Sequence, residues 1–172
     1  MFSGSQGAKA VNELVVEASK ILRDRKVEII IVHQTGKLTE QATREAYAEA
    51  GIDADVRAFI SNMAAEYRQA DLIVSRAGAT TVAELGVVGT PAILIPYPFA
   101  ADNHQELNAA ELAEANAAVM VRQSELTGEN LADLIQERVS NPDLLSQMQS
   151  AMKALGRPQA AATVVDWCRA RS

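Results

Sequence analysis

The sequence predicts an α/β domain: a parallel, Rossmann-like sheet covered by helices on both faces. Three observations carry this. Short β-rich runs alternate with longer helical ones along the chain of 172 residues, and strand–helix alternation means parallel strands joined by helical crossovers. The runs are apolar without in–out alternation, as strands buried on both faces must be. Glycine-containing turns, SGSQGA and RAGATT, open two of the predicted helices, the arrangement found at the carboxyl edge of doubly wound sheets.

In chain order, Val11, Leu14, Val15, Ala18 and Leu22 recur on one face of a first helix. Residues 27–32 (VEIIIV) form the first predicted strand, and residues 56–60, 72–75, 92–95 and 118–121 the next ones. Thr81 and Glu84 have the spacing of a capping box, which would place the start of a helix near Thr81. Pro96 and Pro98 stiffen a loop leading to an Asp-capped helix that carries His104, Gln105 and Asn108. Asn141-Pro142 starts a further helix, with Asn as cap and Pro in the first turn, continued by Leu144, Leu145, Met148, Met152 and Leu155. A last helix covers residues 158–169, and Gly156-Arg157-Pro158 is a helix break rather than a domain boundary. One domain is expected over 1–172. Almost no strand precedes SGSQGA, so the first strand of the sheet is expected to be truncated. An open slot in a sheet invites pairing with another copy, so a homodimer through that slot is a further expectation.

Composition narrows the function classes. The net charge is −6 and no long basic run appears, which argues against nucleic acid as a partner. No apolar stretch approaches the length of a membrane span. The single Cys168 cannot form an internal disulfide, so a cytoplasmic setting is expected.

Three segments can carry chemistry. In SGSQGA, Gly4 and Gly7 flank Ser5 and Gln6 and would let helix-start amides face an anion; a serine-capped helix explains the same residues. In AGATT, a capping box accounts for Thr81 and Glu84 but not for the absence of bulk at Ala77-Gly78-Ala79. Between strand and helix, that absence suits a phosphate close to the backbone. In the DNHQELN stretch, His104, Gln105 and Asn108 share one helix face, and neutral polar groups there suit sugar hydroxyls; a solvated helix face is the alternative. The DxD spacing of Asp53 and Asp55 is better explained by a turn after Gly51. His33 and His104 have no carboxylate or cysteine at metal-ligand spacing, and no catalytic base stands out. No cofactor and no metal are called for.

Taken together, GSQGA, HQTGK at residues 33–37, FISNMAAEYRQADLIVSRAGATTVAEL and GTPAILIPYPFAADNHQELNA resemble the carboxy-terminal half of the MurG family. The resemblance runs from Ser3 to about Leu126. It implies the second Rossmann-like domain of a GT-B glycosyltransferase. The family's reaction is inverting, metal-independent transfer of N-acetylglucosamine from UDP-N-acetylglucosamine to lipid I, giving lipid II of peptidoglycan at the cytoplasmic face of the membrane. By the same resemblance Ser5 and Gln6 lie near the diphosphate, and Ile60 offers its backbone N–H and C=O to uracil. Gly78, Ala79, Thr80 and Thr81 wrap the phosphates, Glu84 accepts from the ribose hydroxyls, and His104, Gln105 and Asn108 contact the sugar. Two departures stand out: Ser3-Gly4 replaces the family's usual pair of glycines, and His104 stands where many members have Gln. The amino-terminal domain, which in the family brings acceptor, membrane surface and base, is expected to be absent from this chain. A separate donor subunit of a two-chain transferase, and a non-catalytic interaction module, remain open as alternatives.

Overall fold

The computed structural model describes residues 8–169. Helix α1 (Ala8–Asp24) forms where the predicted apolar face lies, with Val11, Val15, Ala18 and Leu22 buried. Strand β1 (Ile31–Gln34) and helix α2 (Glu40–Glu49) lead to β2 (Ala54–Arg57) and α3 (Met63–Gln69). Strand β3 (Ile73–Ser75), α4 (Ala79–Val88), β4 (Ala92–Leu94), α5 (His104–Glu114) and β5 (Ala118–Met120) follow. Helices α6 (Gly128–Val139), α7 (Pro142–Leu155) and α8 (Ala160–Arg169) complete the described chain.

All strand pairs are parallel, as predicted. The ladders fall into two groups, β1 with β2 and β3–β4–β5, and among the described residues none joins β1 to β3. The two sides of the strands bury separate clusters. Ile73, Ala92 and Leu94 face Tyr67, Leu85, Ala109, Leu112 and Met152 from α3, α4, α5 and α7. Val74 and Ile93 face Val11, Val15 and Leu22 of α1 and Leu131 of α6. This is the two-faced helical cover that the uninterrupted apolar runs require.

Two strands are displaced from their predicted bounds. β1 starts later than Val27 because its partner β2 begins only at Ala54, in register with Ile31; Ile30 is 99% exposed. β2 stops at Arg57 instead of reaching Ile60. The backbone ladder ends with Gly36 N–H donating to Ala58 O, and the Ile60 N–H turns to a side chain, the Oε1 of Gln34. The turn falls at Ala50 and Gly51, so Asp53 lies in the short link between it and β2, whereas Asp55 is inside β2 and accepts from Arg57. The Asn141 cap of α7 is as predicted, its side chain accepting from Leu144 N–H with Pro142 at the helix start.

Helices α4 and α7 meet through glycines. A Cβ added at Gly156 would stand 2.3 Å from the carbonyl oxygen of Gly86, while one at Gly86 would meet Gly156 Cα at 3.3 Å. Backbone cannot yield as a flexible side chain does, so Gly156→Ala is expected to destabilise the domain by about 1–3 kcal/mol, read by urea unfolding. Gly86→Ala should cost less.

Candidate functional site

Parallel strands send all their following loops to one edge of the sheet, and the predicted site residues collect there. The geometry begins with α4. The helix starts at Ala79, with Gly78 as N-cap in an extended conformation (φ −64°, ψ 146°) and no side chain capping it. Val82 N–H donates to Gly78 O at 3.0 Å, closing the first turn. The expected capping box is therefore corrected. Thr81 lies within the first turn and Glu84 a turn further on, because the backbone enters helical geometry directly after the small residues. The amides of the first turn lack intrahelical acceptors by construction, and the N-terminus carries partial positive charge.

Glycine at position 78 has no internal explanation. Its φ is open to any residue, and an added Cβ would meet only Thr81 Oγ1, at 3.8 Å. Ala79 and Thr80 are exposed and Thr81 half-buried. Small residues thus leave the helix end clear on its solvent side.

The approach to this turn is held from two directions. Asn108 on α5 donates from Nδ2 to Ala77 O at 3.1 Å, linking two separately predicted segments. Buried Arg76, at the end of β3, donates to Ile95 O (3.2 Å), Pro96 O (3.0 Å) and Gln123 Oε1 (2.6 Å). Its guanidinium lies 5.4 Å from the Tyr97 ring centroid. Burial lowers its pKa from the ordinary value, yet an arginine remains a cation at neutral pH. In the sequence the only sign of Arg76 is a cation directly after an apolar strand.

Glu84 is exposed on α4 and shares a hydrogen bond with the hydroxyl of buried Tyr67 on α3. The Tyr67 pKa is raised, first by burial and then by the Glu84 carboxylate, while the Thr81 hydroxyl acts the other way. One carboxylate interaction is thus committed to α3, and an ionised carboxylate has further lone pairs to offer. Ile60 buries its side chain in the cluster that holds Tyr67 and Ala77. Its N–H, expected to serve a ligand, donates to Gln34 Oε1 at 2.8 Å.

On α5 the expected Asp cap is not used. Asp102 (φ 49°) and Asn103 (φ 52°) are left-handed, and Asn103 is the N-cap without a side-chain bond. His104 is exposed in the first turn. Gln105 accepts from Tyr97 N–H at 3.0 Å, which ties its oxygen to the loop after β4. A cavity of about 120 Å³ lined by Tyr97, Asn103, Glu106 and Arg122 lies nearby and contains none of the predicted residues. Ser5 and Gln6 lie outside the described residues. The structure thus brings Ile60, Gly78, Thr81, Glu84 and Asn108 around one open edge, with His104 and Gln105 on the bordering helix.

The model for the glycosyltransferase family 28 C-terminal domain matches residues 1–164. The chain belongs to this family. Among its relatives, the UDP-N-acetylglucosamine–N-acetylmuramyl-(pentapeptide) pyrophosphoryl-undecaprenol N-acetylglucosamine transferase of Myxococcus xanthus is 47% identical over 98% of the chain. The same-named transferase of Syntrophus aciditrophicus is 45% identical over 99%. The chain spans 44% and 47% of the lengths of these two relatives. The crystal structure of Acinetobacter baumannii MurG superimposes with a TM-score of 0.85 at 39% identity, over 96% of this family 28 domain and 49% of that chain. A calicheamicin glycosyltransferase, at 16% identity and a TM-score of 0.64, shares the fold. The parallel sheet with its helices is that of GT-B glycosyltransferases, as the sequence predicted. No described helix of the family 28 domain is long and apolar enough to cross a membrane.

Proposed function

We propose that this chain is the donor-binding part of an inverting glycosyltransferase that moves N-acetylglucosamine from UDP-N-acetylglucosamine to lipid I, giving lipid II for peptidoglycan. The relatives' names supply the donor and acceptor. The observation that carries the reading to this chain is the uncapped start of α4 behind Gly78, a glycine that neither φ nor packing requires. A diphosphate fits there: first-turn amides donate to its oxygens, and the helix end supplies about half a unit of positive charge.

The chemistry asked of these residues is leaving-group stabilisation. The acceptor hydroxyl displaces UDP at the anomeric carbon with inversion, and negative charge grows on the departing phosphate. Preorganised N–H donors aimed at that charge lower the barrier without needing to reorganise. Glu84, fixed by Tyr67, accepts from the ribose hydroxyls; His104, Gln105 and Asn108 border the sugar, and Ser5 and Gln6 add donors to the diphosphate. The base and the acceptor site belong to a partner domain or subunit at the cytoplasmic face of the membrane, and no group in this chain is assigned as base.

Calorimetric titration of the chain with UDP, UDP-N-acetylglucosamine and GDP tests this. Selective uptake of the uridine ligands is expected. Glu84→Ala should weaken it roughly tenfold, the worth of a charge-assisted hydrogen bond. No transfer to a lipid I analogue is expected from the chain alone. A folded chain that ignores uridine nucleotides would refute the donor site and favour an interaction module.

A further inference from the structure

The Ile60 N–H already has an acceptor inside the protein, and that acceptor is a side chain. Gln34, the last residue of β1, presents Oε1 to it at 2.8 Å, across 26 positions of sequence. The surrounding backbone pairs in another way: Thr35 N–H donates to Arg57 O and Gly36 N–H to Ala58 O. Beyond Ala58 the segment after β2 leaves the ladder, and the Gln34 carboxamide serves as acceptor for the next loop. Ile60 itself is buried, whereas Phe59 beside it is 71% exposed. Gln34 is half-buried and, as the last residue of β1, stands at the carboxyl edge of the sheet.

We infer that Gln34 is a displaceable internal ligand of the Ile60 N–H, standing in for the nucleobase carbonyl when the site is empty. The inference rests on the proposed reading of Ile60 as a base-recognising residue. A carboxamide C=O and a ring carbonyl of uracil are equivalent acceptors, so one N–H cannot serve both at full strength. Nucleotide binding therefore exchanges one neutral hydrogen bond for another. Such an exchange has small net worth, because the bond gained replaces a protein bond rather than one to water. Gln34 keeps the donor satisfied in the empty protein, where an unpaired buried amide would be costly, and it weakens the hold on UDP. A transferase that must release UDP after each turnover benefits from that weakening.

The test uses Gln34→Leu, which keeps side-chain bulk and removes the acceptor. Titrated with UDP, the variant should bind roughly three- to tenfold tighter than the unaltered chain, the worth of one net hydrogen bond. Ribose 5-phosphate, which lacks the base, should show no gain. In the unaltered, ¹⁵N-labelled chain, UDP should shift the Gln34 side-chain amide and the Ile60 amide together, and ribose 5-phosphate should shift neither. Equal or weaker UDP binding by the variant, or an Ile60–Gln34 bond that persists at UDP saturation, overturns the inference while leaving the donor site standing. Failure of both chains to take up UDP refutes the donor site, and the inference with it.

Discussion

Replacing Gly78 by valine is expected to weaken UDP binding at least about tenfold while changing folding stability by no more than about 1 kcal/mol. The two halves of that expectation have separate causes. On the protein side the backbone at Gly78 is extended (φ −64°, ψ 146°), which valine adopts without strain, and the nearest neighbour of an added Cβ is Thr81 Oγ1 at 3.8 Å. Only the modest difference in N-cap preference between the two residues remains. On the ligand side, phosphate oxygens at a helix start sit within about 2.7–3.2 Å of the amides. A valine side chain at the cap occupies the space such an approach needs, and losing one charge-assisted bond is worth about 1.5–3 kcal/mol. Titration with UDP, paired with urea unfolding, reads both quantities. Unchanged affinity would remove the diphosphate from this helix end; a large loss of stability would show that Gly78 serves packing after all.

The elements that the sequence made legible are those set by local pattern. The buried face of α1 follows from residues three and four apart, and the cap of α7 from the adjacent pair Asn141-Pro142. The strands were visible as β-branched runs, and their parallel pairing followed from the helices between them. Local pattern failed where a distant group competes for the backbone. Residues 56–60 read as one strand, yet the ladder ends at Ala58 and a glutamine side chain from β1 takes the Ile60 N–H. The start of α4 was set too late because the Thr81–Glu84 spacing fits a capping box. In the fold Thr81 lies inside the helix, and both its hydroxyl and Glu84 turn to Tyr67 on α3.

Roles within the site divide along the same line. At Gly78 and Ala79 the sequence shows only smallness, and the structure places these residues at the uncapped start of α4. Asn108 was found as a polar group on a helix face, but its contact with Ala77 O could not be read from spacing. Gln105 lies on the same helix, but its acceptance from Tyr97 N–H, a partner supplied by the preceding loop, could not be read from spacing either. Arg76 escaped notice because its partners, two carbonyls after β4 and Gln123, lie 19, 20 and 47 positions away. The chemistry of single residues can be read in sequence; which of their atoms are already spent cannot.

A polar network beneath the same edge gives the domain a definite response to acid. Lowering the pH from 7.5 to 4.5 is expected to remove about 2–3 kcal/mol of stability through His33 alone. His33 is fully buried at β1, with Nδ1 3.1 Å from the Tyr47 hydroxyl and Nε2 3.1 Å from Asn12 Oδ1. Asn12 donates from Nδ2 to Thr35 O and Thr39 Oγ1, which leaves Oδ1 as acceptor. The Nε2 of His33 therefore carries the proton, and Nδ1 accepts from Tyr47. Burial pushes the Tyr47 pKa up to about 12, so its hydroxyl keeps that proton throughout. A second proton on His33 would have to enter at Nδ1, where a donor already points, and burial lowers the His33 pKa from 6.5 to about 3. The unfolded chain thus binds a proton near pH 6.5 that the folded chain refuses until about pH 3. Stability from this group is complete above the unfolded value and falls as the pH drops through the interval between them. His33→Gln keeps one donor and one acceptor without titrating, so its urea-unfolding free energy should lose this part of the slope between pH 7.5 and 4.5. Equal slopes in the two proteins would mean that His33 takes up its proton without disturbing the link from Asn12 to Thr35, the residue that follows Gln34.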